Sequence, residues 1–212
     1  MTSEITYLFT GFVLGLSAGL SPGPLLTLVI SETLKHSAKE GIKVAIAPLM
    51  SDLPIVLTTF FILSRLSNMQ PVLGTISVAG ALFLVYLGCE SIFFKGIDIE
   101  TENVKPQSIK KGIIANFLNP NPYMFWFTIG TPTVLKALKV NILSASLYII
   151  SFYLLLVGSK VLIAIVVGKS RFFLKSNNYI YTIRILGIIL LLFAIMFLKD
   201  GYKFWFGVQP SS

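Results

Sequence analysis

The 212-residue chain has one cysteine, Cys89, and one histidine, His36. A lone cysteine can form no internal disulfide, no CxxC redox pair and no thiolate cluster. A single histidine in a Lys/Glu loop gives no histidine metal site, so neither metal nor cofactor is expected. Charge is scarce as well: Asp, Glu, Lys and Arg make up 12% of the residues, against about 25% in ordinary soluble domains. That composition excludes a soluble globular enzyme, a disordered chain and a nucleic-acid binder. The N-terminus carries Glu4 in place of a basic n-region, and the apolar run behind it continues past the length of a signal-peptide core, so no cleaved signal peptide is expected.

Apolar sequence fills the space. Hydrophobic residues are 55% of the chain, about 117 positions, and six spans of about 20 residues would use about 120. Six runs stand out, near 5–31, 41–64, 72–94, 112–135, 141–168 and 179–198. None alternates with period two, so a β-barrel is not expected. The expectation is an all-α polytopic membrane protein with six transmembrane helices in one domain over 1–212. Lipid is its solvent and the plasma membrane its location.

The net charge of +8 reports orientation rather than a nucleic-acid partner. Loops on one side carry Arg65, Lys136, Lys139, Lys199 and Lys203, five in all. The other side carries ten: Lys35, Lys39 and Lys43; Lys95, Lys105, Lys110 and Lys111; Lys169, Arg171 and Lys175. The positive-inside rule puts the ten in the cytoplasm and both termini outside.

Two prolyl interruptions break the spans. Leu20-Ser21-Pro22-Gly23-Pro24 cuts the first run and Leu118-Asn119-Pro120-Asn121-Pro122 the fourth, 98 residues apart. They fall at matching places in two halves of three spans each, near 5–94 and 112–198. Three is odd, so the halves must be inverted, and paired breaks in inverted halves point to a transporter's binding site. Proline stops one helix and suits the first position of the next, with Ser21 and Asn119 as N-caps. Each break then aims free N–H groups and a positive helix end into the membrane, where a carboxylate would be attracted. Gly11, Gly15 and Gly19 repeat every four residues before the first break and read as a close-packing face.

Gly-Leu-Ser-Pro-Gly-Pro ahead of an apolar run resembles the opening motif of the LysE/RhtB family of amino-acid exporters. The stretch Asn119 to Trp126 is similar to that family's fourth-span motif, Leu84 to Gly88 to its third-span ending and Arg184 to Gly187 to its last-span opening. The resemblance runs through essentially the whole chain. It implies efflux of amino acids or related small metabolites, proton coupling and a homodimer. The aspartate of the second span matches as Asp52, but it stands in Ala47-Pro48-Leu49-Met50-Ser51-Asp52-Leu53-Pro54, where family members often carry a glycine ahead of it.

Asp52 and Lys160 each lie roughly 12–15 Å from the cytoplasmic edge at 1.5 Å per residue, so they can meet. Intramembrane ionisable groups are functional candidates. The pair would either bind the bundle together or serve the substrate ammonium and the proton. The candidate substrate site is Ser21, Pro22, Gly23, Pro24, Asn119, Pro120, Asn121, Pro122 and Tyr123, with Asp52 and Lys160 for the proton or an ion pair. Tyr123, Phe125, Trp126 and Phe127 would line a cavity, pack the core or face lipid. Arg184 is read as reaching for headgroups, Glu90 as a solvated boundary residue, and the segment from Tyr202 to Phe206 as an interfacial anchor. A metal-ion or inorganic-ion exporter would want more carboxylate, His or Cys ligands than Asp52 and Glu90 supply. A non-transporting membrane subunit would leave the matched breaks without a purpose.

Overall fold

The computed structural model describes residues 2–65, 70–93, 106–170 and 178–207, and every regular element among them is helical. Ten α-helices follow one another: α1 Thr2–Leu20, α2 Pro24–Lys35, α3 Ala38–Ala45, α4 Ala47–Arg65, α5 Gln70–Ile92, α6 Ser108–Phe117, α7 Pro120–Phe125, α8 Thr131–Val140, α9 Ile142–Ser170 and α10 Asn178–Phe206. A π-helical turn, Trp126–Gly130, joins α7 to α8. Pro132 has no N–H to donate, and the Thr131 N–H instead reaches back five residues to the Trp126 carbonyl.

Four stretches among the described residues are long and apolar enough to cross a membrane: Ala38–Thr59, Gln70–Ile92, Ile142–Lys169 and Ile180–Phe206. Helices α1 and α2 qualify together, bent by 60° at their break, and make a fifth. The fourth run read from sequence is divided among α6, α7, the π turn and α8, none of which has the length of a span. Proline explains the division, since Pro120 and Pro122 open one segment and Pro132 the next. Of the loop charges behind the orientation, Lys95, Lys105, Arg171, Lys175 and the side chain of Arg65 lie outside the described residues.

Two long helix pairs frame the molecule. Helix α1 packs along α9, and α5 packs along α10. A Cβ on Gly11 would strike the Ser151 hydroxyl and the Tyr148 carbonyl, and one on Gly15 would strike the Phe152 carbonyl. The four-residue glycine ladder therefore lets backbone meet backbone, as its spacing implies. Gly88 and Gly187 do the same for α5 and α10, each facing the other's carbonyl oxygen. Between the pairs, α3 packs on α2, α6 and α9, while α4 packs on α6 and the π turn. Outward faces remain apolar: Ile5, Phe9, Leu154, Leu162 and Leu192 are all exposed, as lipid contact requires.

The C-terminal aromatic segment is the continuous end of α10. Trp205 donates its indole N–H to the Pro71 carbonyl at 3.3 Å, so the end of α10 is tied to the start of α5, with Tyr202 and Phe206 exposed beside it. Arg184 is exposed on α10.

Candidate functional site

At the first break the chain leaves α1 at Leu20 and re-enters helix at Pro24. The N-cap of α2 is Gly23, in extended geometry (φ −174°, ψ 177°) and without a side-chain cap, so Ser21 does not take the capping role expected of it. The reason is position: Pro22 and Pro24 together hold the chain extended through Gly23, which moves the N-cap two residues beyond Ser21. The Gly23 carbonyl accepts from both the N–H and the hydroxyl of Thr27 at 3.0 Å. The first-turn donors of α2 receive no cap from a side chain. At the second break Asn119 does cap, its Oδ1 accepting the Asn121 N–H at 3.0 Å.

A cavity of about 180 Å³ lies between the two breaks. Ser21, Pro22, Gly23 and Pro24 line it from one side, and Asn119, Asn121 and Pro122 from the other. Pro120 and Tyr123 are buried but do not line it. The Tyr123 hydroxyl instead donates to the Phe117 carbonyl at 2.9 Å and closes the last turn of α6. Its neighbours Phe125 and Trp126 do reach the cavity, together with Phe152 and Leu156 of α9. These rings form one stack: Phe125 lies 5.1 Å from Phe152 and nearly parallel to it, with Trp126 set edge-on at 5.6 Å.

Asp52 and Lys160 both border this cavity, and both are almost fully buried. They form no salt bridge with each other; each has its own partners. Asp52 accepts from the Asn116 amide at 2.7 Å and from the Tyr153 hydroxyl at 3.2 Å. Lys160 donates to the carbonyls of Ala18 and Gly19, at 3.1 and 2.8 Å. Those two carbonyls belong to the last turn of α1, which has no intrahelical partners for them. The ammonium thus caps a negative helix end that the Pro22 break exposes.

Asn116 and Tyr153 are site residues that sequence reasoning missed. A signal for each existed. Asn116 is a lone amide in an apolar run three residues before Asn119, and Tyr153 stands seven residues before Lys160, two turns along one face of α9.

A second polar cluster lies where α2, α5 and α6 converge. Glu32 has no exposed side-chain surface. It accepts from the Ser108 hydroxyl at 2.5 Å and from Lys111 at 3.3 Å. Lys111 also bonds Glu90 at 2.7 Å, and Lys35 bonds the same oxygen at 3.2 Å. Glu90 is therefore the shared acceptor of two lysines as well as a partly exposed boundary residue. The sequence does not show these partners, because they stand 21 and 55 residues away.

A helical chain with four to five candidate spans among the described residues, holding one buried acid and one buried base at a largely apolar cavity, defines a multi-pass membrane protein. The LysE type translocator family matches residues 16–201, and the chain belongs to that family. Its members are transporters rather than enzymes, and membership implies export of small molecules such as amino acids. No curated relative and no solved structure matches the chain.

Proposed function

We propose that this protein exports amino acids or closely related carboxylate-bearing metabolites across the plasma membrane in exchange for protons. The observation that carries this reading is the convergence of both helix breaks, one buried acid and one buried base on a single cavity. The substrate carboxylate docks against the N-terminal amides of α2 and the Lys160 ammonium, and the substrate ammonium docks against Asp52. Lysine has three N–H donors, and Lys160 uses two on the end of α1. The third is directed to the substrate. Asp52 is the proton carrier, exchanging its proton against the substrate ammonium.

In this reading the chain is one domain of six passes, two inverted halves near 5–94 and 112–198, with both termini outside. Three packing relations support it. Helix α5 packs on α10, the third pass of each half against the other. The segment after each break contacts the opposite half's third pass, α2 on α10 and α7 on α5. The segment before each break packs on the opposite half's second pass, α1 on α9 and α6 on α4. Alternating access is then a rocking of one half against the other around the cavity.

The test is counterflow by the purified full chain in proteoliposomes, with a panel of amino acids and an imposed pH gradient. The wild type accumulates substrate in proportion to the gradient, and Asp52→Asn abolishes that dependence. Unchanged proton-coupled efflux in Asp52→Asn eliminates Asp52 as the carrier. If no amino acid moves, the exporter assignment fails.

A further inference from the structure

The cavity wall has one carboxylate, Asp52, and one ammonium, Lys160; no other lining side chain among the described residues is ionisable. On the reading proposed above, a zwitterion engages both through its α-ammonium and α-carboxylate. A substrate side chain with its own charge would then add a third charge to a buried wall that holds no counter-charge for it. Such a charge is costly to desolvate, so the wall discriminates against it by leaving it unpaired.

On its α9 side the wall offered to the substrate side chain is apolar, while the uncharged polar side chains Ser21, Asn116, Asn119 and Asn121 line the two breaks and the surroundings of Asp52. Leu156 and Phe152 stand four and eight residues before Lys160 on α9, on the same face and about 6 and 12 Å from it along the axis. Phe125 stacks on Phe152, and Trp126 closes the corner edge-on. The apolar surface therefore begins within one turn of the group that holds the carboxylate and extends by a further turn. That is the placement a branched or aromatic side chain on the same α-carbon needs.

We infer that the substrate class of this exporter is the uncharged, apolar amino acids of leucine, methionine and phenylalanine size, and that basic and acidic amino acids are rejected. Phe125, Phe152 and Leu156 determine this specificity. The inference rests on the amino-acid export reading, and the experiment separates the two. Proteoliposomes holding the full chain are loaded with leucine, methionine, phenylalanine, alanine, lysine or glutamate in turn, and uptake of the matching radiolabelled amino acid is followed.

The expected result is exchange of leucine, methionine and phenylalanine, with lysine and glutamate at least ~10-fold slower. In Phe125→Ala the leucine-to-alanine ratio falls about 10-fold, within the range that apolar pocket contacts supply; Leu156→Ala gives a second reading of the same wall. Lysine or glutamate exchanging as fast as leucine overturns the inference and leaves the export reading standing. A leucine-to-alanine ratio unchanged in both variants also overturns it. Absence of exchange for the entire panel removes the export reading, and the inference with it.

Discussion

Gly15 and Gly23 stand eight residues apart on opposite sides of the first break, and the same substitution to alanine should act on different properties. At Gly15 an added Cβ would collide with the Phe152 carbonyl and come within 2.9 Å of the Phe152 Cα and carbonyl carbon. All three are backbone atoms, so no rotamer change relieves the clash and α1 must move off α9. Overpacking of this kind costs about 1–3 kcal/mol, and the helix propensity gained by Gly→Ala returns about 1 kcal/mol. With three backbone atoms in the way, the net loss is about 1–2 kcal/mol. For a chain of this length that lowers the melting temperature by about 2–8 °C. At Gly23 no atom lies within 4 Å of the added methyl. Its extended φ of −174° is open to any residue, and the weaker N-cap is offset by the reduced unfolded-state entropy, each by several tenths of a kcal/mol. Gly23→Ala should therefore melt with the wild type and lose transport, because the methyl fills the approach to the α2 amides. Trp126, buried against Phe152, gives the melting readout by fluorescence in detergent; counterflow gives the transport readout. A Gly15→Ala protein as stable as the wild type refutes the backbone contact between α1 and α9. A Gly23→Ala protein that transports normally refutes the docking of the carboxylate at that helix end.

Lys160→Met strands the carbonyls of Ala18 and Gly19 at the end of α1 and removes the positive charge from the cavity. Transport should be lost and stability should fall by about 2–4 kcal/mol; Lys160→Met with wild-type exchange refutes the role of the ammonium. Lys111→Met leaves the buried Glu32 carboxylate with the Ser108 hydroxyl and the His36 ring at 3.7 Å but without its lysine, and should cost up to about 3 kcal/mol. Adding Glu32→Gln to Lys111→Met should recover a large part of that loss, because the uncompensated charge is then gone; denaturant or thermal unfolding of the two variants checks it.

What the sequence exposes and what it hides follow from the range of the interactions. The breaks were legible because proline acts on its own helix: Pro22, Pro24, Pro120 and Pro122 interrupt the backbone where they stand. The glycine ladder was legible because four-residue spacing puts Gly11, Gly15 and Gly19 on one face, although not which helix that face would meet. The cap of α2 was misassigned to Ser21 because two prolines flanking Gly23 postpone the helix start, and capping preference alone does not weigh that constraint. The π turn had a visible cause in Pro132, whose missing donor acts one turn back, but the consequence depends on how α8 resumes. The ion cluster was the least legible feature. Glu32, Lys35, Glu90 and Lys111 each stand at an apolar boundary where solvation is the default reading. Only the convergence of α2, α5 and α6 shows that they solvate one another.

Similar depth leaves open whether Asp52 and Lys160 bond each other, and the structure gives each its own partners. An acid and a base bound directly to each other would meet a zwitterion with both groups occupied, and substrate would have to break a buried pair costing several kcal/mol. In this protein each charge is held by groups that need not leave. The end of α1 takes two of the three donors of Lys160, and Asn116 and Tyr153 take one bond on each oxygen of Asp52. A carboxylate has about four acceptor sites, so both groups keep bonding capacity facing the cavity. In the proposed binding mode, a substrate bringing one carboxylate and one ammonium would add bonds to this arrangement without removing any. The helix break at Pro22 leaves the carbonyls that hold the lysine in place, and α2 resumes at Pro24 beside the same cavity without a side-chain cap on its first turn.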